Sequence, residues 1–377
     1  MWTLVKAILA LEDGTILEGN GFGYPREVSG EVVFSTGMTG YTESLTDPSY
    51  FGQILIQTYP LIGNYGVPDY SITDEFEIPL HFESNRIQVK GYVIYSLTRN
   101  PSHWSNKKTL NEWLYEQEIP GIEGIDTRDL TKKIRVKGTM LGILKVAEEI
   151  DLREIEARLK EIEDPNERDL VKEVTIDKPV EYNSEKSLKV VLIDCGTKFG
   201  IMRNLLQRGM DVVRVPYDYP AEKILELNPF GIVISNGPGD PKKCDKTVQI
   251  VRRILETDLP VMGICLGNQI LALAANADTY KLKFGHRGQN HPCVDLSTGK
   301  CYITSQNHGY TINDESLKET EFDVWFKNVN DKTVEGIKHR KKPVFGTQFH
   351  PEASPGPYEM GFLFDCFMKE VKKYAKV

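Results

Sequence analysis

The chain of 377 residues lacks the features that mark several classes of protein. It contains no run of about 18 apolar residues, the length that a membrane-spanning helix needs. Its net charge is −8, whereas a nucleic-acid-binding protein usually carries a basic face. It also contains no G-x-x-x-x-G-K-[ST] phosphate loop. We therefore expect neither a membrane nor a nucleic acid as partner, and no nucleotide held by such a loop.

Cysteine is scarce and irregularly spaced, which argues against a disulfide-stapled fold. No two of the six cysteines form a C-x-x-C pair. The N-terminal residues lack a signal-peptide cleavage site and predict a first strand instead. We therefore expect a cytoplasmic protein whose thiols are reduced.

The sequence changes in character twice along its length. Residues 1–147 combine strand-like runs, turn signals and helical segments, and they predict a smaller N-terminal mixed α and β domain. Residues 148–187 are first acidic and then polar, which predicts a helical connector and a linker. In residues 188–377, near-continuous apolar strands alternate with helices before strands predominate again. This alternation is typical of an α/β fold with a mostly parallel sheet and helices on both faces.

The segment GICLG (Gly263–Gly267) lies where an apolar strand gives way to a helix. It matches G-x-S-x-G with Cys265 in the serine position, a pattern that sets a nucleophile on a sharp strand-to-helix turn. The helix N-terminus would favour the thiolate, and backbone N–H groups after the turn, including that of Leu266, could hold an oxyanion. A free cysteine is most often a small buried side chain, but the flanking glycines favour a nucleophile here.

A thiolate nucleophile needs a base, and the segment FHPE offers one. A strand-like run ends at His350, and the carboxylate of Glu352 two residues later can fix the tautomer of the imidazole. Considered alone, a histidine at a strand end could equally bond to the backbone. Together with Cys265, the two residues indicate a catalytic triad.

A third motif, SNGPGDP, follows the strand that precedes Cys265. Gly237 and Gly239, with Pro238 between them, predict a rigid turn at the carboxyl edge of the sheet, where α/β folds bind their ligands. Its backbone N–H groups could complete an oxyanion hole. An ordinary strand-to-helix turn explains this motif equally well when it is considered alone.

Taken in order, GPGDP, GICLGNQ and FHPE resemble the class I (triad) glutamine amidotransferase domain, over about residues 188–377. The first half of the chain narrows the resemblance. MTGYTESLTDPSY (residues 38–50), TYPLIGNYG (58–66) and GIDTRDLTKKIRVKGTMLGIL (124–144) are similar to segments of the small subunit of carbamoyl-phosphate synthetase, as is SQNHGYTI (305–312). The resemblance implies a subunit that hydrolyses glutamine to glutamate and ammonia.

The resemblance also implies roles for individual residues. Cys265 matches the nucleophile, His350 the base and Glu352 the carboxylate that orients the base. The residues that match glutamine contacts come from the glycine turn, the helix after Cys265, the SQNHGYTI segment and the N-terminal domain: Gly237, Gly239, Leu266, Gln269, Asn307, Gly309, Tyr310 and Ser49.

The same resemblance implies a partner. Ammonia would pass internally to a separate large subunit that makes carbamoyl phosphate for pyrimidine and arginine synthesis. ATP, Mg²⁺ and bicarbonate are expected on that subunit, with neither cofactor nor metal in this chain. Asn268 departs from the family, which usually has histidine there. Because that histidine is not a member of the triad, we expect catalysis to survive.

Two other interpretations remain open. The Cys265 turn and the triad alone also fit a stand-alone cysteine hydrolase or peptidase on the same fold, although the N-terminal motifs and the glycine turn argue against it. A metal-binding protein is the second alternative, but the intervals between its candidate ligands are too irregular for a structural zinc site. Those ligands are His286, His291, Cys293, Cys301 and His308.

Overall fold

The structure is a computed structural model that describes residues 5–183 and 188–376. Contacts between residues divide it into two compact units. The N-terminal unit contains residues 5–73 and 79–167, and the C-terminal unit contains residues 74–78 and the chain from 168 onwards. Within the described ranges, no helix combines the length and the apolar character that crossing a bilayer requires.

The N-terminal unit is built around a sheet that closes on itself. Among the described residues, the strand order around the ring is β1-β2-β8-β6-β4-β3-β9, and β9 pairs back onto β1. The short strands β5 and β7 pair separately. The elements are β1 (Val5–Leu11), β2 (Ile16–Gly23), β3 (Glu27–Ser35), α1 (Tyr41–Thr46), β4 (Gln53–Gln57), β5 (Leu61–Ile62), β6 (Gly91–Val93), β7 (Ser96–Leu97), α2 (Leu110–Glu116), β8 (Pro120–Glu123), α3 (Thr127–Lys137), β9 (Met140–Ala147) and α4 (Leu152–Leu159).

Helix α2 shows why this unit folds as its sequence predicts. The Thr109 hydroxyl accepts a hydrogen bond from the Glu112 N–H, and the Glu112 carboxylate accepts one from the Thr109 N–H, so two N–H groups at the helix start are satisfied reciprocally. Leu110, Trp113 and Leu114 share one face, and all three are buried in the main core of the unit. This helix, Leu110–Glu116, is one of the helical segments that the sequence predicts within residues 1–147.

The C-terminal unit contains a large open sheet with the order β10-β12-β11-β13-β14-β19-β18-β17-β15-β16 within the described chain. Its elements are β10 (Val180–Tyr182), β11 (Leu188–Asp194), α5 (Phe199–Gln207), β12 (Met210–Pro216), α6 (Ala221–Glu226), β13 (Gly231–Ile234), α7 (Asp245–Ile254), β14 (Val261–Ile264), α8 (Leu266–Ala274), β15 (Thr279–Asp295), β16 (Cys301–Ile312), α9 (Asp314–Leu317), β17 (Phe322–Asn328), β18 (Val334–His339), β19 (Val344–Thr347) and α10 (Phe362–Ala375).

This sheet is mixed, so the prediction of a mostly parallel sheet needs correction. Within the described residues, the four adjacent pairs from β12 to β19 are parallel, whereas the other five pairs are antiparallel. The parallel part is the stretch in which strands alternate with helices, because a parallel connection needs a crossover. After α8 the chain continues through hairpins, which produce antiparallel neighbours.

Helices cover both faces of the parallel part. Alternate residues of β11 point to opposite faces: Val191 and Ile193 enter a core with α6, α7 and α8, whereas Val190 and Leu192 enter a core with α5 and α10. The continuous apolar run of this strand follows from burial on both sides.

The segment predicted as a connector and linker is divided between the two units. Ile155 of α4 is fully buried beside β1 and β9, so residues 148–167 pack with the N-terminal unit. Val171 lies in the core of the C-terminal unit, and β10 within the predicted linker pairs with β12.

A buried carboxylate fixes the turn after β11. The Asp194 side chain has no exposed surface. Its Oδ1 accepts hydrogen bonds from the N–H groups of Gly196 (3.0 Å) and Thr197 (2.7 Å), and its Oδ2 accepts from the Ile176 N–H and the Arg214 guanidinium, both at 2.9 Å. Asp194 thus has four donors, and one of them is the Arg214 cation, which compensates the charge. The turn that follows therefore has one preferred conformation.

We expect Asp194→Ala to lower the melting temperature by about 10 °C, because it leaves the Arg214 cation and several backbone donors unpaired in the interior. Asp365→Ala is the matched control, since its ion pair with Arg208 lies at the surface and should contribute little. Thermal unfolding by circular dichroism measures both. Equal shifts in the two variants would contradict the role assigned to Asp194.

Candidate active site

Cys265 lies between β14 and α8, on the sharp turn that its sequence motif predicts. Its backbone φ of 54° and ψ of −102° are sparsely populated by residues with a side chain. Such strain persists where the surrounding structure enforces it, as at active sites. The Cys265 N–H donates to the Thr347 carbonyl at 2.7 Å, and this bond ties the turn to β19.

The two glycines of the motif permit this turn by close approach of backbone to backbone. A Cβ at Gly263 would lie 2.6 Å from the Gly267 carbonyl oxygen, and a Cβ at Gly267 would lie 2.2 Å from the Ile234 carbonyl oxygen. Neither contact can be relieved by rotating a side chain, because the obstructing atoms are backbone atoms. Glycine is therefore required at both positions, as the sequence predicts.

His350 and Glu352 follow the end of β19, the strand beside β14. Nδ1 of His350 and Oε1 of Glu352 are 2.6 Å apart, and both side chains are almost completely buried. The same Glu352 oxygen is 3.0 Å from the Lys198 ammonium, which also donates to the Ala353 carbonyl at 2.9 Å. The carboxylate thus lies between two cationic groups, with the imidazole on one side and the ammonium on the other.

The charges of this cluster support one another. Burial alone would lower the pKa of His350, but Glu352 raises it to about 10, and Cys265 contributes in the same direction. Burial alone would raise the pKa of Glu352, but Lys198 and His350 lower it to about 2. At neutral pH the pair is therefore an imidazolium and a carboxylate. Within the described residues, Nε2 of His350 is buried and has no hydrogen-bond partner.

The sulfur is enclosed by polar groups. Sγ of Cys265 is 3.5 Å from the Asn307 carbonyl oxygen and 3.7 Å from the Gln348 side-chain nitrogen. Nε2 of Gln269 donates to the Tyr310 carbonyl at 2.7 Å and to the Gln348 side-chain oxygen at 3.0 Å. Gln269 and Gln348 therefore connect α8, β16 and β19 around the sulfur.

The glycine turn after β13 lies against the residue that follows Cys265. A Cβ at Gly237 would be 2.7 Å from Cδ2 of Leu266 and 2.1 Å from the Cys195 carbonyl oxygen, so only glycine fits there. Gly239 has φ +86°, a left-handed conformation that also favours glycine. The Leu266 side chain is in the core, and its N–H is the first of α8, where a helix leaves donors without an internal partner.

Gly309 and Ser49 are two further residues that are predicted to contact glutamine. Gly309 lies in β16 beside Arg287, whose Nη2 would be 3.3 Å from an added Cβ. Ser49 belongs to the N-terminal unit, in a short 3-10 helix from Pro48 to Tyr50, where its N–H donates to Asp47 Oδ1 at 2.9 Å. The structure therefore gives Ser49 a fixed backbone within its own unit.

Two side chains of this cluster were not predicted from the sequence. Lys198 lies four residues beyond β11, in the sequence DCGTKFG, and Gln348 lies directly before the FHPE motif. A signal for Lys198 exists in retrospect, since the turns after parallel strands meet at one edge of a sheet. A lysine in such a turn is nevertheless common, and no spacing links it to a carboxylate far along the chain.

Asn268, the residue that departs from the family, is completely buried on α8. Its Oδ1 lies where a Cβ at Gly346 would approach to 2.4 Å, so the side chain packs tightly against β19. Within the described part of the chain, neither of its amide atoms has a hydrogen-bond partner. The side chain therefore touches the strand that leads to His350 without bonding to the triad, whereas the Asn268 N–H donates to the Cys265 carbonyl at 3.1 Å.

The histidine-rich segment that suggested a metal site forms a compact cluster. The rings of His291 and His308 lie about 5 Å from that of His286. Donor atoms of His286, His308 and Glu335 lie within 4.8 Å of one another. Cys301 is exposed at the far end of the β15–β16 pairing and is not part of this cluster, so the five-residue ligand set is not brought together.

The raised pKa of His350 makes a prediction about stability and pH. Because its pKa rises from 6.5 to about 10 on folding, the stability that His350 contributes is complete below pH 6.5 and is lost as the pH rises towards 10. We expect the melting temperature of the wild type to fall more steeply over this interval than that of His350→Asn. Parallel curves from calorimetry would contradict the charged state assigned to the imidazole.

Comparison with protein families agrees with this geometry. The family described as "Glutamine amidotransferase class-I" matches residues 191–370, the region that contains the Cys265–His350–Glu352 cluster. The family described as "Carbamoyl-phosphate synthase small chain, CPSase domain" matches residues 9–144, within the N-terminal unit.

Individual relatives extend over nearly the whole chain. A carbamoyl phosphate synthase small chain of Archaeoglobus fulgidus is 46% identical over 370 residues, which are 98% of this chain and 100% of the relative. An arginine-specific small chain of Debaryomyces hansenii is 44% identical over 378 residues, or 98% of this chain and 86% of the relative. The multifunctional protein CAD of Squalus acanthias is 48% identical over 366 residues, which are 96% of this chain but 16% of that protein. This chain therefore belongs to the carbamoyl-phosphate synthase small chain family and carries a class I glutamine amidotransferase domain.

Proposed function

We propose that this chain hydrolyses glutamine through Cys265, His350 and Glu352 and supplies the ammonia to a large subunit that makes carbamoyl phosphate. The observation that carries the proposal is the buried arrangement at the ends of two adjacent parallel strands. A cysteine on a strained turn follows one of these strands, and an imidazole, whose Nδ1 lies 2.6 Å from a carboxylate oxygen, follows the other. Membership of the small chain family favours this function over a stand-alone hydrolase or peptidase.

The first half of the reaction is an acyl transfer. The Cys265 thiolate attacks the side-chain carbonyl carbon of glutamine, and the carbonyl oxygen becomes an oxyanion. The Leu266 N–H and the turn of Gly237 and Gly239 are proposed to stabilise that oxyanion. When the tetrahedral intermediate collapses, the C–N bond breaks, and His350 gives its proton to the departing nitrogen. Ammonia leaves, and the glutamyl group remains on sulfur as a thioester.

The second half returns the enzyme to its starting state. His350, now neutral, takes a proton from a water molecule as that water attacks the thioester carbon. The C–S bond breaks, glutamate is released, and the thiolate and imidazolium are restored. Glu352 keeps the same hydrogen bond throughout, so the ring need not reorient between its roles as acid and base.

The remaining predicted contacts are proposed to bind glutamine around this centre. Asn307, Gly309 and Tyr310 lie on one strand, whose backbone already approaches the sulfur at Asn307. Gln269 supports that strand through the Tyr310 carbonyl. Ser49 is proposed to contribute from the N-terminal unit.

The ammonia is proposed to pass directly to a large subunit, because ammonia released into water at neutral pH becomes ammonium and loses its nucleophilicity. ATP, Mg²⁺ and bicarbonate are assigned to that subunit. The name of the fungal relative refers to arginine, and CAD contains a region similar to this chain within a much longer protein. We propose that the product serves pyrimidine and arginine synthesis in the cytoplasm.

We expect Cys265→Ala to reduce glutamine-dependent carbamoyl phosphate synthesis by at least about 10³-fold, because the nucleophile is lost. Synthesis from free ammonia should continue, since the large subunit performs those steps. The assay uses the purified two-subunit enzyme with each nitrogen donor in turn. Cys301→Ala, which removes an exposed thiol at the start of β16, is the control. Equal loss with both donors would refute the role given to Cys265.

The roles of the base and of the carboxylate that orients it predict which of two substitutions lowers the glutaminase rate constant more. His350→Ala removes the group that moves the proton, whereas Glu352→Ala removes the group that positions it, and orienting residues are partly replaceable. We expect the glutaminase rate constant to fall about ten- to a hundredfold further in His350→Ala than in Glu352→Ala. Steady-state kinetics on variants with a confirmed folded spectrum measure this. The reverse order would be inconsistent with the assigned roles.

A further inference from the structure

A buried carboxylate outside the triad lies at the centre of a second polar network. The Glu335 side chain, on β18, has no exposed surface. Its Oε2 accepts a hydrogen bond from the Gln306 amide at 3.0 Å, and its Oε1 accepts one from the Asn328 amide at 3.1 Å. Its backbone carbonyl accepts from the Gln348 N–H at 2.8 Å. Glu335 therefore contacts both β16 and the residue beside the FHPE motif.

The charge of Glu335 is compensated by one histidine. Nδ1 of His286 faces Oε1 of Glu335 at 3.3 Å, and Nε2 of His286 is 2.8 Å from Oδ2 of Asp331. Burial opposes the charged ring, but the two carboxylates raise the pKa of His286 to about 9. Burial and this neighbouring charge hold the pKa of His308 well below its usual range. The cluster thus has a single imidazolium, located between the two carboxylates.

This network reaches the segment proposed to bind glutamine. Along β16, Gln306 and His308 alternate with Asn307 and Gly309, so the two pairs point to opposite faces of the strand. Nε2 of His308 is 2.6 Å from the Gln306 side-chain oxygen, and Nδ1 is 2.7 Å from the Tyr310 carbonyl oxygen. The latter oxygen is the one that Gln269 of α8 also contacts.

We propose that Glu335 and His286 form a positioning pair that holds residues 306–310 in the conformation that binds glutamine. The inference rests on the proposed glutaminase function and adds residues that do not touch the reacting atoms. The Glu335 carboxylate accepts a hydrogen bond from the Gln306 amide at 3.0 Å and so fixes a side chain of β16. Without the carboxylate, the Gln306 amide loses its charged acceptor, and β16 loses this side-chain link to β18.

Breaking the Glu335–His286 pair is expected to weaken substrate binding. A buried carboxylate without its cation, or a buried imidazolium without its carboxylate, is strongly disfavoured, so the remaining partner draws water or displaces the strand. A displaced β16 changes the backbone at Asn307 and Gly309, on the opposite face. The chemistry at Cys265 depends on His350 and Glu352, whose side-chain hydrogen-bond and ion-pair partners in the described structure do not include Glu335 or His286.

The experiment compares kinetic constants of Glu335→Ala and Glu335→Gln in the purified two-subunit enzyme. We expect Glu335→Ala to raise the KM for glutamine about tenfold, with the turnover number at saturating glutamine within about threefold of the wild type. Glu335→Gln should recover most of that affinity, because its oxygen still accepts one of the two amide hydrogen bonds. Synthesis from ammonia should be unchanged in both variants.

A coupled pair also predicts non-additivity. His286→Gln should raise the KM for glutamine by a similar factor, and the double variant with Glu335→Ala should be no worse than the poorer single variant. His339→Gln is the matched control, since His339 is a buried histidine of the same sheet that pairs with Glu321 instead. Its KM should equal that of the wild type. If Glu335→Ala does not fold, Asp331→Asn tests the pair from its exposed side and should raise KM less.

The outcomes separate the two proposals. Failure of the wild-type two-subunit enzyme to use glutamine would refute the proposed function itself. If the wild type is active but Glu335→Ala, or Asp331→Asn in its place, keeps the wild-type KM, the positioning role is wrong. A fall in turnover number, in ammonia-dependent synthesis and in melting temperature by the same proportion would show a general structural role, and would also overturn the inference.

Discussion

The arrangement of this site depends on one buried negative charge, the carboxylate of Glu352. An isolated carboxylate in a protein interior is very unfavourable, so its position is tolerable only where cations meet it. His350 supplies one of these and Lys198 the other, from the turns after β19 and β11. The parallel sheet brings those two turns to one edge. The site therefore exists only when strands that are distant in sequence have paired in the correct order, and it also fixes the charge state of its own base.

The individual helices and strands of the C-terminal unit could be predicted from sequence, whereas the order of the strands across the sheet could not. From Leu188 to Ala274, each predicted strand and helix is present, because burial on both faces leaves continuous apolar runs and the crossover helices carry one apolar face. The antiparallel half of the sheet was not predicted. Its strands β15 and β16 alternate polar and apolar residues irregularly, with breaks in register, so that the pattern does not reveal which neighbour each strand pairs with.

Some residues of the site could likewise be predicted from sequence, whereas others could not. Cys265 was predictable because it lies in a backbone-specific motif, and His350 and Glu352 were predictable because a histidine at a strand end, with a carboxylate two residues later, completes a triad with that cysteine. Lys198 was not predictable, since its contact with Glu352 spans most of the unit and leaves no mark on the residues around it. The glutamine contacts, including Ser49, stay predictions. Asn268 is a buried amide without a partner in the described structure, a state that usually costs about 1–3 kcal/mol, and its packing against Gly346 gives no compensating hydrogen bond.

The enclosure of Cys265 has a consequence for thiol chemistry. Its side chain is 2% exposed, while Cys301 and Cys366 lie at the surface. A general alkylating reagent will therefore meet the two surface thiols first, and the extent of labelling will not report on the nucleophile. A reagent with the amino and carboxyl groups of an amino acid should reach Cys265 selectively, because it can use the same access as the substrate. Selective labelling of Cys265 therefore depends on whether a reagent can bind as the substrate does, and the number of thiols in the protein matters less.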